Sequence, residues 1–124
     1  MIKIGAITPL TGFSASNGIM FQQGLQMAVE EINSISGNVT FNALYEDSKS
    51  TAKDAYSAYR KLASEGVKYY AGFGGQFILS FVPDTKDSDK ILFATAAPNS
   101  NLLMLTNRCF RLFPTIEMVT DRIR

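Results

Sequence analysis

Small, neutral residues cluster in three short stretches of this sequence, and each stretch follows an apolar run. Their hydroxyl and amide groups, together with glycine backbone, are short neutral hydrogen-bond donors and acceptors that let a solute approach the main chain. This chemistry predicts recognition of a small polar molecule, although for each residue a purely structural role in turning the chain stays open. The candidate binding residues are Ser16, Asn17, Gly74, Gly75, Gln76, Thr95, Ala96, Ala97 and Pro98.

Residue types that would support a reaction are scarce. The sequence has no histidine, which removes the commonest general base, the serine–histidine and cysteine–histidine pairs, and imidazole metal ligands. The single cysteine, Cys109, lies in an apolar run and is expected to be a buried small hydrophobic residue. We therefore predict a protein that is not an enzyme, with no catalytic residue, no metal site and no cofactor.

The composition is typical of an ordinary globular protein. The 124 residues are 46% hydrophobic and 19% charged, which suits one domain with its own core. A net charge of +1 argues against a nucleic-acid partner and against a polybasic membrane patch. No leader pattern is visible before the first strand, so either the protein is cytoplasmic or Met1 replaces a removed leader.

Strand and helix patterns alternate along the chain. Apolar or alternating runs predict strands at residues 2–8, 39–45, 67–73, 91–94 and 109–113. Between them, apolar stripes at helical spacing predict a helix after a loop at 9–18, a helix from about 51 to 65, and a helix over 76–87 that Pro83 kinks. A short turn is expected at 101–105, and a last helix begins at 115.

This alternation predicts an α/β fold, a three-layer sandwich around a mostly parallel sheet with right-handed crossovers. The second strand alternates between polar and apolar residues and therefore belongs at an edge, which gives the flavodoxin-like strand order 2-1-3-4-5. In such sheets ligands bind beyond the carboxyl ends of the strands, at the point where the strand order reverses. The three small-residue loops, at 9–18, 74–77 and 95–101, should meet there.

Several stretches, in order, resemble the type I periplasmic binding proteins, in the branch that includes receptors for branched-chain amino acids. The fold implied by this resemblance has two α/β lobes joined by a hinge. Residues 1–114 would be the N-terminal part of lobe 1, and residues 115–124 the start of the crossing to a second lobe that lies outside this sequence. The matching stretches are Ile4–Gly12, Gly24–Asn33, Tyr45–Ser48, Lys61–Ala63, Gly72, Thr95–Ser100 and Phe110–Pro114.

The resemblance also implies a function and contacts. The full protein would be a periplasmic or extracellular receptor that passes a small solute to the permease of an ABC transporter. Asn17 lies where a first-loop contact is expected, Gly74 to Gln76 where a ligand carboxylate is received, and Ala96 and Pro98 where its amino group is received. Gln76 and Pro98 replace the usual serine and threonine, so an amino acid, an aromatic acid and an amide are all possible ligands.

Two other functions stay open. Thr11-Gly12-Phe13-Ser14 resembles the phosphate loop of flavodoxin-like FMN modules, although Pro9 stands where a hydroxyl residue is expected. A cytoplasmic amide-sensing regulator of the same fold would suit the missing leader. A fragment of a lobe would expose apolar surface, so we also expect that this chain dimerises.

Overall fold

The sheet has five parallel strands in the order β2-β1-β3-β4-β5, as predicted. The computed structural model describes residues 1–123, apart from the side chain of Ser100. Each predicted strand is present, with ends that differ by a few residues. The strands are β1 Ile2–Thr8, β2 Phe41–Asp47, β3 Tyr69–Phe73, β4 Ile91–Thr95 and β5 Cys109–Arg111.

Helices connect successive strands, which confirms the three-layer α/β class. They are α1 Ala15–Ile35, α2 Ala52–Ser64, α3 Gly75–Ile78 and α4 Ile116–Ile123, with 3₁₀ turns at Val82–Thr85 and Ser100–Met104. A capping pair begins α2, since the amide of Asp54 donates to the Thr51 hydroxyl at 3.0 Å and that hydroxyl donates to the Asp54 carboxylate at 2.7 Å.

Two helix boundaries were predicted wrongly. First, α1 begins at Ala15, so residues 15–18 are helical rather than part of the first loop. Gly18 makes this early start possible, because a Cβ there would lie 1.7 Å from the Pro9 carbonyl oxygen. Second, the helix expected over 76–87 ends at Ile78, and Pro83 instead lies in the first turn of a separate 3₁₀ turn, where its missing N–H costs nothing.

One face of the sheet carries the closed core. Helices α2 and α3 and the 3₁₀ turn after α3 pack there, and Tyr59 stacks on Phe81 with ring centroids 5.0 Å apart. Tyr70 and Leu92 on the central strands are fully buried against them. Packing on this face holds β3 and β4 in place, and the carboxyl ends of these two strands carry the second and third loops.

The opposite face is only half covered. Helix α1 lies over β1 and β2, while an apolar groove of about 520 Å³ runs beside it over β3 and β4. Phe93 stays 40% exposed there, and it stacks on the exposed Phe110 with centroids 5.7 Å apart. The groove is lined by Ile2, Ile4, Phe21, Leu25, Phe41, Tyr69, Ala71, Phe93, Thr95 and Leu112.

Candidate functional site

A cleft of about 320 Å³ opens at the carboxyl ends of β3 and β4, where the sequence predicted a binding site. The strand order reverses between β1 and β3, so the cleft lies beside the switch point of the sheet. Residues 73–77 form one wall, Ala96, Pro98 and Asn99 form the other, and Ser14 closes the end toward α1.

Backbone hydrogen bonds join the second and third loops. The amide of Gly74 donates to the Thr95 carbonyl at 3.1 Å, and the amide of Gly75 donates to the Ala96 carbonyl at 3.2 Å. Both loops adopt left-handed backbone to do this, with φ of +85° at Gly74 and +48° at Ala96. Glycine takes that conformation freely, whereas at Ala96 it is strained, and such strain often marks functional sites.

A close contact between the loops leaves no room for a side chain at position 75. A Cβ on Gly75 would lie 2.0 Å from the Asn99 side-chain oxygen and 3.1 Å from the Ala97 Cα. Glycine is therefore required for the third loop to pack against the start of α3. Any larger residue would push Asn99 and change the shape of the cleft.

The third loop is also tied to the chain that follows it. The Arg111 guanidinium donates from Nη1 to the Asn99 carbonyl at 3.0 Å, and the amide of Ile116 donates to the Pro98 carbonyl at 3.3 Å. Residues 98 and 99 thus have their main chain fixed by β5 and by the first residue of α4. The wall of the cleft and the segment after β5 form one connected unit.

The Asp47 carboxylate anchors the first loop. It accepts the amides of Leu10 at 2.8 Å and Lys49 at 2.7 Å, and the Thr11 hydroxyl at 2.6 Å. Burial by itself would raise the pKa of Asp47, but these bonds and a longer one from the Thr11 amide together lower it. Sequence analysis missed this role, because Thr11 and Asp47 are far apart in the chain.

Five predicted residues line the cleft, namely Gly74, Gly75, Gln76, Ala96 and Pro98. The other four lie elsewhere. Thr95 donates its hydroxyl to the Gly72 carbonyl at 2.9 Å and faces the apolar groove, and Ala97 is fully buried. Ser16 and Asn17 are exposed in the first turn of α1, and neither lines the cleft.

Aromatic rings are the main feature of the cleft that sequence reasoning missed. Phe73 and Phe77 line it, and each contacts a second aromatic ring outside the cleft. Phe73 lies 5.8 Å from Phe21, and Phe77 lies 6.2 Å from Phe13, measured between ring centroids. Both residues lie close to the glycine pair in the sequence. That proximity was the signal from which the sequence could have predicted them as lining residues.

Ser14 and Asn99 were missed as well, although each lay inside or beside a predicted loop. They bring a hydroxyl and an amide to the cleft, next to the amide of Gln76. In the described part of the chain, His, Cys, Asp and Glu side chains do not gather in threes as a metal site would need. None of the helices in residues 1–123 has the length and apolar character of a membrane span.

Comparison with known proteins identifies relatives for nearly the whole chain. A family model described as "Periplasmic binding protein" matches residues 1–118. The Leu/Ile/Val-binding protein BraC3 of Rhizobium johnstonii is 32% identical over 111 residues, which is 86% of this chain and 30% of that protein. A binding protein for leucine, isoleucine, valine, threonine and alanine from Pseudomonas aeruginosa is 29% identical over 94% of this chain and 32% of its own length.

Solved structures agree in fold. A leucine-binding protein from Thermotoga maritima superposes with a TM-score of 0.88 at 20% identity over 99% of this chain. A branched-chain amino acid transporter substrate-binding protein from Streptococcus pneumoniae, in complex with isoleucine, gives 0.83 at 25% identity over 93%. This chain spans about a third of each, 35% and 34% of their lengths.

Replacing Asp47 by Asn should destabilise the protein by about 1–2 kcal/mol at neutral pH, because charged hydrogen bonds to two amides and a hydroxyl are weakened. The folded-state pKa of Asp47 is lowered, so its stabilisation is fully present above the unfolded pKa of about 3.9 and is lost as the pH falls through the folded pKa. Urea unfolding at pH 7 and in steps below pH 4 measures the difference.

Asp121→Asn, which removes a carboxyl from an exposed position of α4, is the control and should change stability little at either pH. Equal stabilities for the wild-type protein and Asp47→Asn at pH 7 would contradict the anchoring role.

Proposed function

The chain belongs to the periplasmic binding protein family, and on that premise we propose that it forms the opening part of a receptor lobe that binds a small solute. Residues 1–114 are the N-terminal part of lobe 1, and residues 115–124 begin the crossing to a second lobe. The observation that carries the proposal is the cleft of neutral groups at the switch point of the sheet. The family assignment favours this function over a flavodoxin-like FMN module and over a cytoplasmic amide-sensing regulator.

Binding without chemical change suits the composition of this cleft. Its lining residues, 14, 73–77, 96, 98 and 99, include no ionisable side chain and hence no general acid or base. They offer one hydroxyl, two side-chain amides and backbone groups, which are sufficient to orient a solute. These groups support the role of a receptor that binds its solute unchanged.

The whole receptor works by differential binding. A solute that contacts both lobes favours the closed state, and the permease of an ABC transporter recognises the closed receptor. The solute is an amino acid, an aromatic acid or a small amide, and the protein acts in the periplasm or outside the cell. Two hydrogen bonds support this mechanism, because they connect the cleft wall to the segment that leaves the lobe. They join Arg111 to the Asn99 carbonyl and Ile116 to the Pro98 carbonyl.

Isothermal titration calorimetry on the full-length product of the gene tests the proposal against amino acids, aromatic acids and amides. We expect at least one class to bind, and Gly75→Ala to weaken its binding tenfold or more, since the new Cβ displaces Asn99. The matched control is Gly37→Ala, which has open space around position 37 and should leave binding unchanged.

Absence of binding in every class would refute the receptor function. Equal binding by the wild-type protein and Gly75→Ala would place the solute outside this cleft. Circular dichroism of both glycine variants establishes that they fold.

The half-covered sheet face supports a second proposal, that the isolated 124-residue chain forms a dimer. The groove over β3 and β4 is apolar, and α4 has no buried residue although Ile116, Val119 and Ile123 share one of its sides. A second copy can supply α4 to the groove, and the reciprocal contact closes a symmetric dimer.

Sedimentation equilibrium of the 124-residue chain should therefore show a reversible dimer. Leu112→Lys places a charge in the groove at a side chain that is already 65% exposed, and should weaken the dimer at least tenfold. Met104→Lys, at a residue 84% exposed and outside the groove, should not. A wild-type chain that stays monomeric at high concentration contradicts the proposal.

A further inference from the structure

We propose that the cleft prefers aromatic carboxylates without an ammonium group over amino acids. This inference rests on the proposed receptor function and names the ligand class of the same cleft. Three observations carry it: the cleft has no carboxylate to pair with an ammonium group, its polar side chains can donate to a carboxylate, and two phenylalanines line it.

An ammonium group has three N–H donors and, when buried, needs acceptors or a negative charge around it. No carboxylate lines the cleft among the residues that the structure describes. Two carbonyls of the third loop already accept one hydrogen bond each, Ala96 from the Gly75 amide and Pro98 from the Ile116 amide, which leaves each with a single lone pair for a ligand. Proline at 98 adds no hydroxyl. This cleft is therefore a poor site for an amino acid's charged nitrogen.

A carboxylate finds donors instead. The hydroxyl of Ser14 and the side-chain amides of Gln76 and Asn99 are all at the cleft, and each can donate to an anionic oxygen. Behind the Asn99 wall lies the Arg111 guanidinium, bonded to the Asn99 carbonyl. The positive charge of this guanidinium favours an anion in the cleft over a cation.

The walls of the cleft suit a flat ring. Phe73 lines it with a partly exposed ring that pairs with Phe21, and Phe77 adds the edge of a ring that is otherwise buried in the core. Aromatic rings that meet edge-to-face or offset attract each other beyond the effect of burying their area. The part of the site that this lobe supplies has a volume of about 320 Å³, which accommodates a single ring.

Calorimetry on the full-length protein tests the inference with two matched ligand pairs. Phenylpropionate and phenylalanine differ only in the ammonium group, and benzoate and cyclohexanecarboxylate differ only in aromaticity. We expect phenylpropionate and benzoate to bind at least tenfold more tightly than their partners. Leucine, isoleucine and valine complete the panel.

Two variants separate the contributions. Phe73→Leu should weaken benzoate several-fold while leaving cyclohexanecarboxylate nearly unchanged, because only the ring–ring contact is lost. Pro98→Thr supplies a hydroxyl to the third loop and should narrow the gap between phenylpropionate and phenylalanine.

Amino acids that bind as tightly as the aromatic acids, or more tightly, would overturn this inference and leave the receptor function standing. Failure of every ligand in the panel and of the amides would overturn the receptor function and this inference with it. The assignment of this preference to the cleft walls would also be overturned by a combined negative result. In that result Pro98→Thr leaves the affinity difference between phenylpropionate and phenylalanine unchanged, and Phe73→Leu does not weaken the binding of benzoate.

Discussion

Two backbone hydrogen bonds, from Gly74 to Thr95 and from Gly75 to Ala96, hold the candidate site together. They connect the ends of β3 and β4 just beyond the sheet, where the strands no longer pair. The bonds demand left-handed backbone at Gly74 and Ala96, and the packing that accompanies them demands a residue without a side chain at 75. The small residues of these loops are therefore a structural requirement first, and the neutral cleft results from it.

Charged residues support the site from outside its surface. Asp47 fixes the first loop through amides and a hydroxyl, and Arg111 fixes the third loop through the Asn99 carbonyl. Each charge is used to hold main chain in place at the rim. The cleft itself keeps neutral donors and aromatic rings, an arrangement that suits recognition of a solute without reaction.

The sequence predicted the fold well, because strand and helix periodicities are local and the polar side of β2 marked an edge. It also located five lining residues, since glycine pairs and small residues that follow buried strands can be recognised in the sequence alone. The misplaced start of α1 depended on Gly18 packing against Pro9, a contact that spacing does not reveal. Phe73 was assigned to a predicted strand and Phe77 to the second loop without a binding role, and only the folded chain shows that both line the cleft.

Hydrogen–deuterium exchange of the full-length protein, with and without the solute that binds it most tightly, shows whether the loops after β3 and β4 form the binding site. We expect slower exchange at residues 73–77 and 96–99 when the solute is bound, and no change in α2, which packs on the opposite side of the sheet from α1. Slower exchange confined to other segments, with 73–77 and 96–99 unaffected, would contradict it.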